Sequence, residues 1–500
     1  VNLPWGVDVD EQANPTLTRF WDETRLRAAT AIAAPVATST RRGLFARSWA
    51  AVSEVLCVGY GERSGTSITK GRSLIRARTT PSAGALYPVE VLVALGGPDG
   101  YELHHYDVAG CCLRYLRPIA GGALNALLPE VQEQPSAVVV VVGRPWLSMR
   151  KYGRRGYLYT HLDGGHVANN IAVVAEDAGF DTRVHLRFDR TAAAGVLGID
   201  PVGREPQTLI TLHGSAEPTG GPDRAANPFA VPVWRDDQEG GLEPTDDEER
   251  AGWHSIDSIS TYHAGPRSKP VLGSMRSVVA TAGGEPGVPL AVPDPLGTAP
   301  LRSTVLRRKS AKGFLPSASP ADELGRALAA LRATTPVDCA DGVAVGVRLL
   351  LREVSGTSPG AYAYLPDEHG LRPLGGDAGT SEEVITACMR QDVVRSAAVV
   401  IALHAPVRRV LAEHGTQGLA ELHFHAAAAA QRLCLGATAH GLGITCLGGF
   451  DEHLVADLVR LEPAEEVLYV LAAGVADESA VKWDRAPVAH SHGLASRIDS

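Results

Sequence analysis

The feature that most constrains this chain is that its sequence is written twice. Residues 161–189 read HLDGGHVANNIAVVAEDAGFDTRVHLRFD, and residues 423–451 read HFHAAAAAQRLCLGATAHGLGITCLGGFD. They align at a constant offset of 262, which pairs His161 with His423, Gly179 with Gly441, Phe188 with Phe450 and Asp189 with Asp451. Each copy reads as a long apolar helix ended by glycine, the residue that tolerates a left-handed C-terminal cap. A short strand and a turn follow. Earlier stretches recur in the same order: STRRGLFARSW (39–49) with VLRRKSAKGF (305–314), YELHHYDVAGCCLRYL (101–116) with GAYAYLPDEHGLRPL (360–374), and AVVVVVGRP (137–145) with AAVVIALHAP (397–406). This predicts a duplicated α+β unit rather than a solenoid. A length of 500 residues agrees, because one core rarely serves so long a chain.

The segment between the copies is rich in Gly, Pro and acid (SAEPTGGPDRAANP…RDDQEGGLEPTDDEER) and reads as a solvated linker. The expected organisation is therefore a first domain over 1–215, a linker over 216–250 and a second domain over 251–500. Two similar units on one chain can form internally what a homodimer forms by symmetry, an internal pseudo-dimer about a pseudo-two-fold axis. Sites at such an interface arise in pairs, and one can decay without loss of the other. The junction TTPSAGALYP (79–88) returns as TTPVDCADGV (334–343) with its small, turn-forming core lost, as such decay would leave it.

Composition narrows the class. The chain is 45% hydrophobic with a net charge of −9, which argues against nucleic acid as a main partner. No apolar run reaches the ~18 residues of a membrane span, and VNLPWGVDVDEQ lacks the form of a secretory signal. A cytoplasmic protein that binds neither nucleic acid nor membrane is expected. The seven cysteines are odd in number and lack CxxC spacing. They read as reduced thiols, with neither a disulfide framework nor a zinc knuckle. His161, His166, His185, His423, His425 and His440 could suggest metal. His161 and His423 are duplicated equivalents, though, which favours a shared structural role, and residues two apart such as His423 and His425 lie on different faces of a helix. No metal site is expected.

Several stretches carry a family resemblance. PSAGALYP, the strand and YELHHYD that follow it, and KYGRRGYLYTHLDGGHVANN together resemble the SagB-type azoline dehydrogenases of the FMN-dependent nitroreductase superfamily. The second half (LRRKSAKGF, GLGITCLGGFD, VKWDR) resembles the same superfamily. The likeness covers roughly residues 40–215 and 300–490, and the tandem form resembles that of thiopeptide-type enzymes. It implies two nitroreductase-like domains, FMN as cofactor, and oxidation of peptide thiazolines or oxazolines to thiazoles or oxazoles, with oxygen reoxidising the flavin. The implied partners are an azoline-containing precursor peptide from a ribosomal natural-product pathway and a cyclodehydratase or leader-binding protein.

The resemblance also assigns residues, and the chemistry of each suits its role. A dianionic phosphate calls for guanidinium groups, which Arg307 and Arg308 supply beside Ser310; Lys312 adds charge. Lys482 and Arg485 stand where the superfamily adds a second basic pair. RRKS alone equally describes a solvated basic helix start. Pro81, Ser82, Ala83 and Gly84 form a small-residue turn whose N–H groups can face flavin or phosphate, lent by the first half to the second half's cofactor. Gly448 and Gly449 allow close backbone approach to a planar ring, whereas Leu186 and Arg187 at the equivalent places would obstruct one. Lys151 and Tyr152 match the family's proton-accepting pair. Arg150, Arg154 and Arg155 surround Lys151 with like charge, which favours the neutral amine that such a step needs. The second half has Glu413 and His414 there instead. Asn169 and Asn170 suit a buried hydrogen-bonding role, and Arg41 and Arg42 read as a relic of the lost site. Two other readings stay open: an NAD(P)H-dependent nitroreductase-type flavin oxidoreductase, and a non-catalytic peptide-docking scaffold.

Overall fold

The computed structural model describes residues 44–70, 73–97, 100–152, 155–201, 203–214, 268–280, 287–293 and 299–480. Arg41, Arg42, Arg154, Lys482, Arg485 and the linker over 216–250 lie outside them. The chain is α+β. Helix α1 (Leu44–Tyr60) leads into a hairpin of β1 (Glu62–Lys70) and β2 (Ser73–Arg78). The first large sheet follows: β3 (Val89–Gly97), β4 (Gly100–Asp107), β5 (Cys112–Ile119), β6 (Ala137–Gly143), helices α2 (Pro145–Tyr152) and α3 (Arg155–Asp177), β7 (Asp181–His185), α4 (Arg190–Leu197) and β8 (Glu205–His213).

The second half repeats the plan. After β9 (Gly273–Arg276), β10 (Val288–Pro289), α5 (Leu301–Arg307), α6 (Ala321–Ala329) and β11 (Thr334–Val337) come β12 (Gly346–Leu351), β13 (Gly360–Leu365), β14 (Gly370–Gly375), β15 (Val399–Ala405), α7 (Val407–Ala439), β16 (Gly443–Leu447), α8 (Glu452–Leu458) and β17 (Glu466–Gly474).

Strand order makes the duplication explicit. One sheet runs β5-β4-β3-β6-β8-β7 and the other β14-β13-β12-β15-β17-β16, so every strand occupies the place of its counterpart. The recurring stretches 101–116 and 360–374 form the hairpins β4–β5 and β13–β14. The central strands are continuous apolar runs because both sheet faces are covered. In β6, Val139 and Val141 face the core that includes α1 and α3, while Val138, Val140 and Val142 face the core under α4. Gly179 and Gly441 end the two long helices with φ of +97° and +79°. Asp189 and Asp451, also equivalents, cap α4 and α8 by accepting N–H bonds from the first turn.

The chain crosses between lobes. Strands β11 and β9 extend the first sheet beyond β7, although both come from after residue 250, and β10 edges the second. Helices α3 and α7 pack across the interface. A Cβ on Gly165 would come within 2.6 Å of the Ala427 Cβ, and the rings of His161 and His423 lie 6.5 Å apart. Both are offset-262 pairs meeting each other, as residues on a two-fold axis must.

One expectation is corrected. Cys57 on α1 and Cys111 in the β4–β5 turn are disulfide-bonded, with Cα atoms 5.4 Å apart. Their separation of 54 residues carries no local signature; the pairing follows from packing α1 against this hairpin. Cys112, Cys339, Cys388, Cys434 and Cys446 are free thiols. Among the described residues no helix is long and apolar enough to cross a membrane. His185 and Asp338 lie with Glu130 close enough to surround a cation. His185 Nδ1 is 2.9 Å from Glu130 Oε1, and Asp338 accepts the Leu186 and Arg187 N–H groups.

Candidate active site

The loop 81–87 is a strained turn. Gly84 (φ 60°), Ala85 (φ 54°) and Tyr87 (φ 49°) all hold left-handed backbone, which costs roughly 1–2 kcal/mol at each non-glycine residue. Such strain persists only where surroundings over-determine it. Here Ser82 Oγ donates to Asp163 Oδ2 at 2.5 Å, Ala83 N donates to Asp163 Oδ1 at 3.3 Å, and Tyr87 N donates to Ser82 Oγ at 2.8 Å. Asp163 projects from α3 and is buried. Burial pushes its carboxyl up to about 7, against the lowering effect of the bonds from Ser82 and Ala83. Asp163 was not legible in the sequence, because its partners Ser82 and Ala83 lie 81 and 80 positions away.

The loop meets the Lys-Tyr pair directly. A Cβ built on Gly84 would lie 2.3 Å from Tyr152 Oη and 2.9 Å from Lys151 Nζ. Lys151 and Tyr152 end α2, and the lysine Nζ lies 5.3 Å from the centroid of the Tyr152 ring. The same ring packs edge-on against Tyr159, centroids 5.1 Å apart. Tyr159 Oη donates to Gly448 O at 2.6 Å, and a Cβ on Gly448 would strike the Tyr159 ring at 2.9 Å. Gly84, Lys151, Tyr152, Tyr159 and Gly448 therefore form one contiguous cluster contributed by both lobes. Gly449 O accepts from Gln391 Nε2 at 2.6 Å. Arg155 braces the junction, 2.6 Å from Glu452 and stacked 4.7 Å over the Phe450 ring.

At the other end of the loop sits a cationic cluster. Arg308 is buried; its Nε donates to Thr79 O at 2.6 Å, Nη2 to Arg78 O at 3.2 Å and Nη1 to Ser310 Oγ at 3.4 Å. Arg63 reaches across to the carbonyls of Leu306 and Arg307. Burial, and then the charge of Arg308, lowers Arg63 to about 10. Among the described residues neither arginine is ion-paired with a carboxylate. Arg307 is exposed, with Nε donating to Ser303 O. Thr79 lies five residues before Gly84, so the cluster and the Lys-Tyr pair are at most roughly 17 Å apart along this loop. Arg63 was not legible in the sequence, because nothing local marks a residue on a hairpin as facing a helix 240 positions away.

A buried polar chain ties the lobes together beneath this surface. His166 Nδ1 lies 2.9 Å from Gln431 Oε1 and its Nε2 3.2 Å from Tyr469 Oη. Gln431 Nε2 donates to Asn170 Oδ1, and Asn170 Nδ2 donates to Gly59 O. Burial holds His166 down to about 3, so it is neutral. The proton then sits on Nδ1, facing the amide oxygen, and Nε2 accepts from the tyrosine. Asn169 is buried, and among the described residues neither of its amide atoms has a partner.

The equivalent place in the other half is filled. Arg187, the counterpart of Gly449, has its side chain 1% exposed. It donates to Glu421 at 2.7 and 3.0 Å, to Asp341 at 2.6 Å and to Lys269 O at 3.0 Å. Glu421 is itself the counterpart of Tyr159. Cys339, in the position of Gly84, lies 3.7 Å from His425, the counterpart of Asp163. Burial lowers His425 to about 4 and pushes the Cys339 thiol up, so the pair is uncharged. Glu413 and His414 precede a break in α7 at Gly415 (φ 59°) and lie 3.9 Å apart.

Residues 305–475 match the model of the Nitroreductase family. A protein of Methanocaldococcus jannaschii named as a nitroreductase is 31% identical over 136 residues, covering 26% of this chain and 64% of that relative. A crystal structure from Anabaena variabilis, titled as a nitroreductase, superposes with a TM-score of 0.67 at 21% identity, over 87% of this chain and 89% of that one. The E. coli microcin synthetase McbBCD complex matches with a TM-score of 0.29 at 15% identity, over 42% of this chain and 84% of that one, too slight a likeness to bear on function. The tandem arrangement is thus a nitroreductase-like fold, and the stretch that matches the family model lies in the second lobe.

Proposed function

We propose that this nitroreductase-like pair is an FMN-dependent oxidoreductase that converts peptide thiazolines or oxazolines to thiazoles or oxazoles during ribosomal peptide natural-product biosynthesis. The observation that carries the reading is the apposition of Gly84 to Lys151 and Tyr152, which sets a candidate proton acceptor against a backbone-lined surface completed by Gly448 of the other lobe.

The residues present fit FMN. Two buried guanidiniums without an ion pair among the described residues, Arg63 and Arg308, suit a dianionic phosphate, with Arg307 and Ser310 beside them. Lys482 and Arg485 belong to the same proposed basic set. Pro81, Ser82, Ala83 and Gly84 on one side, and Gly448 and Gly449 on the other, would flank the ring system, where side chains would block it. When bound, FMN supplies the two-electron acceptor. The Lys151 amine takes the proton from the ring carbon beside the one that loses hydride. Tyr152 orients the heterocycle with its hydroxyl. Tyr159 fixes the distance between the Lys-Tyr pair and Gly448. Partners under this reading are an azoline-containing precursor peptide and the cyclodehydratase or leader-binding protein that delivers it.

Replacing Lys151 tests the assignment. Lys151→Ala is expected to retain flavin absorbance yet form azole ~10²–10⁴-fold more slowly, the range for losing a positioned base. Equal activity in the variant removes the base assignment. Rapid bleaching of the bound flavin by NADPH in stopped flow would instead favour nitroreductase-type chemistry, and a colourless purified protein would favour a docking scaffold.

A further inference from the structure

Cys434 on α7 and Cys446 on β16 bring their sulfurs to 3.7 Å. Cys446 stands two residues before Gly448, and Cys434 lies beside the Arg308 guanidinium. Tyr469 hydrogen-bonds Cys446 and also contacts His166, so the thiol pair terminates the polar chain that joins the lobes. Cys434 is fully enclosed, whereas Cys446 is only partly buried. No role described above uses either sulfur.

We propose that Cys434 and Cys446 form a reversible disulfide whose formation takes a sulfur partner from Arg308 and leaves that guanidinium freer to hold an anionic ligand. The proposal rests on reading Arg308 as part of the phosphate clamp. In the dithiol, the hydrogen bond from Cys446 and then the neighbouring Arg308 lower the Cys434 thiol, while the same pairing raises Cys446 well above its ordinary range. Cys434 is therefore the more acidic sulfur of the pair, and it also accepts from the Arg308 guanidinium. Hydrogen peroxide is a sufficient oxidant. The Cys434 thiolate attacks one peroxide oxygen; the S–O bond forms, the O–O bond breaks, and the departing hydroxide takes a proton to leave as water. The Cys446 thiol then displaces hydroxide from that sulfenic acid; the S–S bond forms, the S–O bond breaks, and a second water leaves. Two electrons pass from the sulfur pair to the peroxide. The product has no ionisable sulfur, so the bond that Arg308 gives to Cys434 weakens. Closing the bond brings the sulfurs from contact to roughly 2 Å.

The test uses the wild-type full chain, reduced with dithiothreitol, desalted and exposed to hydrogen peroxide. Remaining thiols are alkylated and peptides mapped by mass spectrometry. The expected result is a cross-linked peptide pair containing Cys434 and Cys446 that dithiothreitol releases, resolved from the Cys57–Cys111 pair. Both cysteines still alkylated, or oxidised separately without a cross-link, would overturn the disulfide. In the second arm FMN is titrated onto both forms. The disulfide form should bind on the order of 10-fold more tightly, the worth of one charge-assisted hydrogen bond, and Cys434→Ser/Cys446→Ser should not respond to peroxide. A cross-link with unchanged FMN affinity overturns the coupling to Arg308. FMN binding by neither form would instead refute the flavin reading while leaving the cross-link result standing.

Discussion

Gly84→Ala separates stability from catalysis. Its added methyl would sit 2.3 Å from Tyr152 Oη and 2.9 Å from Lys151 Nζ, whereas ordinary contact begins at 3.4 Å. The hydroxyl must therefore retreat by about 1 Å. Both obstructing atoms are the far ends of side chains, so the fold can yield there cheaply. The backbone at φ 60° adds a left-handed penalty of roughly 1–2 kcal/mol for alanine, offset in part by the lower entropy of its unfolded chain. A net loss of about 1 kcal/mol is expected, visible as a small fall in the urea midpoint. Turnover should suffer far more, because the displaced atoms are those proposed to act on substrate, and ~1 Å of misplacement can cost ~10²-fold. The assay is the rate at which an azoline peptide loses two hydrogens per ring, measured by mass spectrometry, with flavin content measured alongside. Azole formation at the wild-type rate, with flavin retained, would refute the apposition of this loop to the Lys-Tyr pair.

Three other outcomes are expected. Arg308→Ala should lower FMN affinity by at least an order of magnitude, while Arg42→Ala hardly changes it; similar losses in fluorescence titration would argue against one functional clamp. Arg187→Ala leaves Glu421 buried and unpaired, so it should cost about 3–5 kcal/mol in chemical denaturation without altering the flavin-to-chain ratio, and a change in that ratio would mean this lobe also holds cofactor. Asp163 has its folded-state value raised from 3.8 to about 7, so its contribution to stability is fully present below the unfolded value and is lost as pH rises through about 7. That displacement corresponds to roughly 4 kcal/mol. Asp163→Asn should flatten this part of the stability–pH curve, and identical curves for wild type and variant would show that burial does not raise this carboxyl.

Much of the fold was legible because duplication is a one-dimensional signal. A constant offset fixed which helix, strand and cap correspond, and glycine at 179 and 441 marked both helix ends through its own backbone freedom. What stayed hidden was tertiary in origin. The Cys57–Cys111 bond depends on how α1 lies against a hairpin. The transfer of β9 and β11 to the first sheet depends on which edge is open once both sheets exist. At the site, Lys151, Gly84 and Gly448 were singled out through the family resemblance of the stretches that hold them. Asp163, Arg63, Tyr159 and Gln391 were not, since each acts by reaching a backbone group far away in sequence, and an isolated Asp or Tyr within an apolar helix carries no mark of that.

The asymmetry between the two halves has a physical logic. Glycines at 448 and 449 bring no side chains of their own to the pseudo-two-fold interface. On one side small residues persist, Tyr159 bonds the Gly448 carbonyl, and the cationic cluster of Arg63 and Arg308 lacks a carboxylate partner among the described residues. On the other, Arg187 stands in place of Gly449 and meets Glu421 in place of Tyr159, while Asp338 caps two N–H groups. Breaking that ion pair by removing one partner would be costly, so the filled side is held as firmly as a core. Substitutions there can adjust packing between the lobes without touching the open side. A chain built this way keeps the rigidity of a dimer and the freedom to specialise one face, which two identical subunits, bound to change together, do not have.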